Sequence, residues 1–151
     1  MGLLHTYFAA ASDERAAATA EHGPNRSRPD VVDLPDLDPT IVLATVEALL
    51  LGIDEDQVNA RPRFAETVGD AGEPWVFTVT DELQYAIASA TPQRLAEVAA
   101  EIIHGAEPDD PTYEADPEFA LNALTGLLID LGGLARRALA DGNRVYAWVC
   151  L

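Results

Sequence analysis

Lysine is absent from this chain, and all nine basic residues are arginines. Against them stand 26 acidic residues, for a formal net charge of -17. So few cations argue against DNA or RNA as a partner, because nucleic-acid affinity rests on neutralising phosphates with Lys and Arg. They argue equally against an anionic membrane surface. Arginine without lysine, in an alanine-rich chain, reads as the codon bias of a GC-rich bacterial genome. Cysteine occurs once, as Cys150, which rules out an internal disulfide and fits a reducing cytoplasm. Cys150 lies in an apolar run without a neighbouring cation to favour the thiolate, so it reads as a small buried hydrophobe.

The residues that hold metals are also scarce. The three histidines, His5, His22 and His104, form no local pair, whereas tetrahedral zinc needs three or four ligands with local spacing. Asp54-Glu55-Asp56 hints at a calcium loop, but Val58, Asn59 and Ala65 stand where that loop needs an oxygen ligand, glycine and glutamate. The triplet reads as a solvated helix end. No GxSxG elbow and no glycine-rich phosphate loop occur. Gly132-Gly133 falls inside a helical pattern and reads as close packing rather than a hinge. No catalytic residue, metal ligand or cofactor is therefore expected. The first basic residue is Arg15, so no charged segment precedes the apolar start and no secretory signal is expected. The apolar run Ile41 to Leu51 is interrupted by Thr45 and Glu47 and is too short to span a bilayer.

What the chain does contain suits one domain over residues 1–151. Its 151 residues are 48% hydrophobic and 23% charged, enough to bury a core without staples. Leu3 to Ala9 reads as a strand. Ser12, followed by Asp13 and Glu14, caps a helix expected to run to about Glu21. Residues 23–37, with Pro24, Pro29 and Pro35, read as a loop. Asp38-Pro39 starts a helix with a broad apolar face (Val42, Val46, Leu49, Leu50) that stops at Gly52. Residues 53–73 are ambiguous. Trp75 to Thr80 has the aromatic and β-branched content of a buried strand, and Thr80 or Asp81 caps the helix after it. Thr91-Pro92 starts another helix, through Ile102. Residues 104–116 read as an acidic loop. Asp116-Pro117 opens the longest helix, with Leu121, Leu124, Leu128, Leu131, Ala135 and Ala138 at helical spacing. Asp141-Gly142 ends it, and Arg144 to Leu151 is a closing strand. The order predicts an α+β domain: a small sheet of about three strands covered by helices, with a long penultimate helix and a C-terminal strand.

Two acidic tracts stand out. Between Arg28 and Arg61 there are eight carboxylates and no base, and between Arg94 and Arg136 there are nine. Such fields speed encounter with a basic partner and repel acidic ones. The candidate partner-binding residues are Asp30, Asp33, Asp36 and Asp38 in the first tract. In the second they are Glu107, Asp109, Asp110, Glu114 and Asp116, with Tyr113 as an aromatic anchor.

The start, Met1-Gly2-Leu3-Leu4-His5-Thr6-Tyr7-Phe8-Ala9 followed by Ser12-Asp13-Glu14, resembles the opening of the YfbM-like bacterial proteins of unknown function. Trp75 to Leu83 is similar to their middle strand and following helix. Arg136 to Val145, with the strand through Leu151, resembles their closing helix, glycine turn and last strand. Their longer central region is lacking here. The resemblance implies an α+β fold and supplies no agreed catalytic residues. Small acidic bacterial domains of this sort also resemble immunity proteins of polymorphic toxin systems. The expectation is thus a non-enzymatic, cytoplasmic protein-binding module that captures a basic protein, most concretely an immunity protein (antitoxin) plugging a cognate toxin. The alternative is a small enzyme or ligand-binding domain with a pocket between sheet and helices.

Overall fold

The computed structural model describes residues 4–24, 32–35, 39–69, 72–105 and 116–150. Two long strands form its centre. β1 (Leu4–Ala10) and β4 (Arg144–Cys150) pair antiparallel along their whole length, with Tyr7 opposite Ala147. β3 (Trp75–Thr78) adds to the free side of β4, and β2 (Val32–Pro35) to the free side of β1. The sheet order is β2-β1-β4-β3, with every neighbour antiparallel. The expected α+β architecture is what the structure has. The three expected strands are β1, β3 and β4. The fourth, β2, falls inside the segment read as a loop.

Residues of alternating parity divide between two cores. Tyr7, Val145 and Ala147 face a large cluster built from the helices. Phe8, Ala10, Val76, Tyr146 and Trp148 face the opposite side, where Ala16 of α1 (Asp13–Ala17) closes a smaller cluster. Burial on both faces explains why β4 is nearly continuously apolar rather than alternating. The first helix is shorter than expected. It ends at Ala17, and a turn continues to Gly23, which sits at φ 70° under Trp148. Trp148 Nε1 donates to Ala20 O at 2.9 Å, fixing that turn against the sheet.

On the large face lie α2 (Pro39–Leu51), α4 (Asp81–Ser89), α5 (Pro92–Gly105) and α6 (Pro117–Ala140), with the short α3 (Glu55–Asn59) beside α2. The starts follow the expected chemistry. Ser12 accepts from Arg15 N, Thr80 from Leu83 N, Thr91 from Arg94 N and Asp116 from Glu118 N. Gly52 and Gly142 end α2 and α6 in the left-handed conformation. In α6, Leu124, Leu128, Leu131, Leu134, Ala135 and Ala138 are buried. Gly132 lets α6 approach α4: an added Cβ would stand 3.1 Å from Ile87 O and 3.4 Å from Leu95 Cδ1. Close packing is therefore the role of Gly132. By length and composition α6 could cross a membrane. Its buried stripe in the helical cluster is also what makes a core helix apolar.

Candidate functional site

α2 is apolar on nearly every side, and Glu47 is its one charged residue. Val46, Glu47 and Ala48 are all buried, and the Glu47 side chain has 0% exposure. A carboxylate in such a place must find partners or lose its charge. One oxygen finds them. Glu47 Oε1 accepts from Thr80 Oγ1 at 2.7 Å and from Arg61 Nη1 at 3.3 Å. The Thr80 hydroxyl works in both directions, since it also accepts from Leu83 N at 3.0 Å as the cap of α4. The second oxygen, Oε2, is buried and makes no hydrogen bond within the described protein. Burial pushes the Glu47 carboxyl above its ordinary range, against the Thr80 hydrogen bond and the Arg61 charge, which pull it down. Glu82, whose carboxylate lies 4.0 Å from Arg61, adds to the upward push.

Glu47 lines a narrow cavity between the sheet and the helices. Leu43 and Leu83 come from the helices, Phe77, Thr78 and Ala147 from the sheet, and Phe64 and Ala65 from the segment after α3. Its volume is about 20 Å³, enough for a water-sized group. Of the lining residues, Phe64, Ala65 and Phe77 are partly exposed.

The segment that supplies Phe64 and Ala65 to the lining is held in an unfavourable backbone shape. Arg63 has φ 67° and Ala65 φ 47°, both left-handed and neither glycine. Tertiary bonds hold the shape. Arg63 donates twice to Asp13 at the start of α1, both at 2.9 Å, and Tyr146 Oη donates to Asp13 Oδ1 at 2.6 Å. Thr78 Oγ1 donates to Arg63 O and accepts from Glu66 N. The Arg63 and Tyr146 hydrogen bonds hold Asp13 down at about 2, and burial with the Asp13 hydrogen bond raises Tyr146 to about 12. A wider open depression of about 240 Å³ lies beside Tyr85, and several of its polar groups are paired. Gln84 bonds Asn143 O and Val145 N there, and Arg144 bonds Asp81.

The expected partner-binding residues stand as follows. Asp30, Asp36, Asp38, Glu107, Asp109, Asp110, Tyr113 and Glu114 lie outside the described residues. Of Asp33 only the backbone is described, opposite Thr6 in the β1–β2 ladder. Asp116 is exposed, and its carboxylate caps α6. His5 is buried in β1 and His104 is exposed at the end of α5, and neither lines the Glu47 cavity. Among the described residues no group of three His, Cys, Asp or Glu is placed to hold a metal ion. Sequence reasoning passed over Glu47 by counting it with the acidic tract. The signal was there: Leu43, Ala44, Val46, Ala48, Leu50 and Leu51 surround it at helical spacing, so no orientation of α2 exposes it easily. Comparison with protein-family models, curated proteins and solved structures gives no match for this chain.

Proposed function

We propose that this chain is a non-enzymatic, cytoplasmic protein-binding module, most concretely an immunity protein that neutralises a cognate bacterial toxin by electrostatic capture and occlusion. The observation that carries this reading is how the arginines are used. Arg61 faces Glu47 and Glu82, Arg63 faces Asp13, Arg94 faces Glu97 and Glu101, and Arg144 faces Asp81. Cations already engaged inside the chain do little to mask the remaining carboxylates. Glu14, Asp54, Asp56, Glu118, Asp130 and Asp141 are exposed, and no arginine pairs with them among the described residues. A net charge of -17 makes the overall field predominantly negative, which accelerates encounter with a basic protein and rejects acidic ones. The segments 30–38 and 107–118 hold the densest acids and would form the contact. The YfbM-like motifs belong to the same proposal, as the scaffold of β1, β3, α6 and β4 that carries these segments.

The test is affinity capture from the native host at low salt, then purification of what is recovered. The reading predicts a strongly basic partner whose own activity is blocked stoichiometrically. A neutral or acidic partner, or a basic one whose activity is untouched, contradicts it.

The second reading, a small-ligand domain, is favoured by one feature, the place of the Glu47 cavity between sheet and helices. Its small volume limits a ligand to a compact polar head.

A further inference from the structure

We propose that residues 63–68 form a releasable strap that guards the outer edge of β3 and is latched shut by the Arg63–Asp13 ion pair. The strap opens as a unit while the β1–β4 pair and the helices stay folded. The inference stands apart from capture of a basic protein and fails separately from it.

Three observations carry it. First, few bonds join the strap to the sheet. Val68 N donates to Val76 O at 2.9 Å and Thr78 N donates to Glu66 O at 2.8 Å, with Thr67 opposite Phe77. Thr78 Oγ1 adds its bonds to Arg63 O and from Glu66 N. Second, none of residues 63–68 is buried, although Val76 and Thr78 beneath them are. Phe64 and Val68 are only partly buried against neighbouring apolar clusters. Few buried apolar contacts and exposed backbone bonds mark segments that open at far lower cost than global unfolding. Third, Arg63 at φ 67° and Ala65 at φ 47° hold a left-handed backbone that side chains disfavour. Opening relieves that strain, so closure depends on whatever opposes it.

The latch opposes it. Arg63 Nη1 and Nη2 donate to the two oxygens of Asp13 on α1, each at 2.9 Å. A bidentate pair of this kind fixes geometry as well as adding energy. Asp13 is also held by Tyr146 Oη at 2.6 Å, so the anchor stays on the sheet when Arg63 leaves. β1 and β4 pair with each other along their whole length and take no bond from the strap. What the strap covers is an edge. Val76 and Thr78 turn their outward backbone groups to it, and a loop laid over such groups keeps other strands from adding there. Release bares Val76 O and Thr78 N, an acceptor and a donor of the kind that pair with an extended segment in strand addition.

The experiment is native-state hydrogen exchange of the full chain followed by NMR, with each amide's rate expressed as protection relative to an unstructured peptide. The proposal expects the Glu66, Val68 and Thr78 amides to be protected and to share one protection factor. That factor should lie at least tenfold below the protection of the β1–β4 ladder. Arg63→Gln should lower it by about tenfold and leave the ladder unchanged. In the wild type, a separation from the ladder of less than tenfold overturns the proposal. So does unequal protection among the three amides, or its complete absence. A folded Arg63→Gln that leaves the three amides unchanged, or that lowers the ladder equally, also overturns it. Because the wild-type rates need no variant, the test survives a misfolded Arg63→Gln. If the strap amides fail these expectations while salt-sensitive protein capture persists, only this inference falls.

Discussion

Thr80 Oγ1 donates to Glu47 Oε1 at 2.7 Å while accepting from Leu83 N at 3.0 Å. One hydroxyl thereby caps α4 and holds a buried carboxylate 33 residues away in sequence. Thr80→Val keeps the shape and removes both bonds. It should destabilise the fold by about 2–4 kcal/mol, combining a lost cap with a lost bond to a charged acceptor. Thr80→Ser should recover most of that loss. Urea unfolding of the three proteins checks this.

Glu47 and Asp13 should give opposite pH dependences. The folded Glu47 pKa is raised above its ordinary value of 4.5, so the folded state holds its proton more tightly than the unfolded chain. The stability from that group is present below the unfolded pKa and lost as pH rises through the folded one. Glu47→Gln removes this loss, so its stability relative to wild type should rise between pH 4 and pH 8. Thermal melts across that range test it, and a constant difference would count against the burial argument.

Asp13 behaves the other way. Its folded pKa of about 2 lies below the ordinary value of 3.8. Its contribution is present above the unfolded value and lost as pH falls from about 4 towards 2. The carboxylate is 44% exposed, which weakens its ion pair with Arg63 through solvent screening. Asp13→Ala should therefore cost only about 1–2 kcal/mol at neutral pH and almost nothing near pH 2. Acid titration of both proteins by circular dichroism distinguishes this from a pH-independent packing loss.

The two glycines of α6 should differ sharply. Gly132→Ala drives a Cβ to 3.1 Å from the Ile87 carbonyl, where backbone must yield, and should cost about 1–3 kcal/mol. Gly133→Ala meets only the ends of arginine side chains, nearest at 3.3 Å, and should gain up to about 1 kcal/mol from helix propensity. Chemical denaturation of the pair measures the contrast.

Much of the fold was legible because its signals are local. Tyr7 and Phe8, Trp75 to Thr78 and Tyr146 to Val149 mark the strands, and Ser12, Thr80, Thr91 and Asp116 mark helix starts. β2 was missed because it is a four-residue edge element ending at Pro35 and paired only with β1. Proline is tolerated there, yet its presence argues for a loop. The end of α1 at Ala17 depends on Trp148 drawing Ala20 and Gly23 onto the sheet, a contact across 128 residues. The burial of Glu47 was legible in its apolar neighbours, but the partners that meet it were not, for the same reason. Arg61 and Thr80 are 14 and 33 residues away, and only packing shows that they converge on one oxygen and leave the other.

The proposed function rests on net negative charge drawing a basic protein onto this chain. Its most direct test is the association rate with the recovered partner, measured by stopped-flow at rising ionic strength. Electrostatic steering is screened over about 10 Å at 0.1 M salt and about 3 Å at 1 M. The account predicts a rate that falls at least tenfold from about 20 mM to about 500 mM salt, with the dissociation rate changing far less. A rate that stays constant over that range contradicts it.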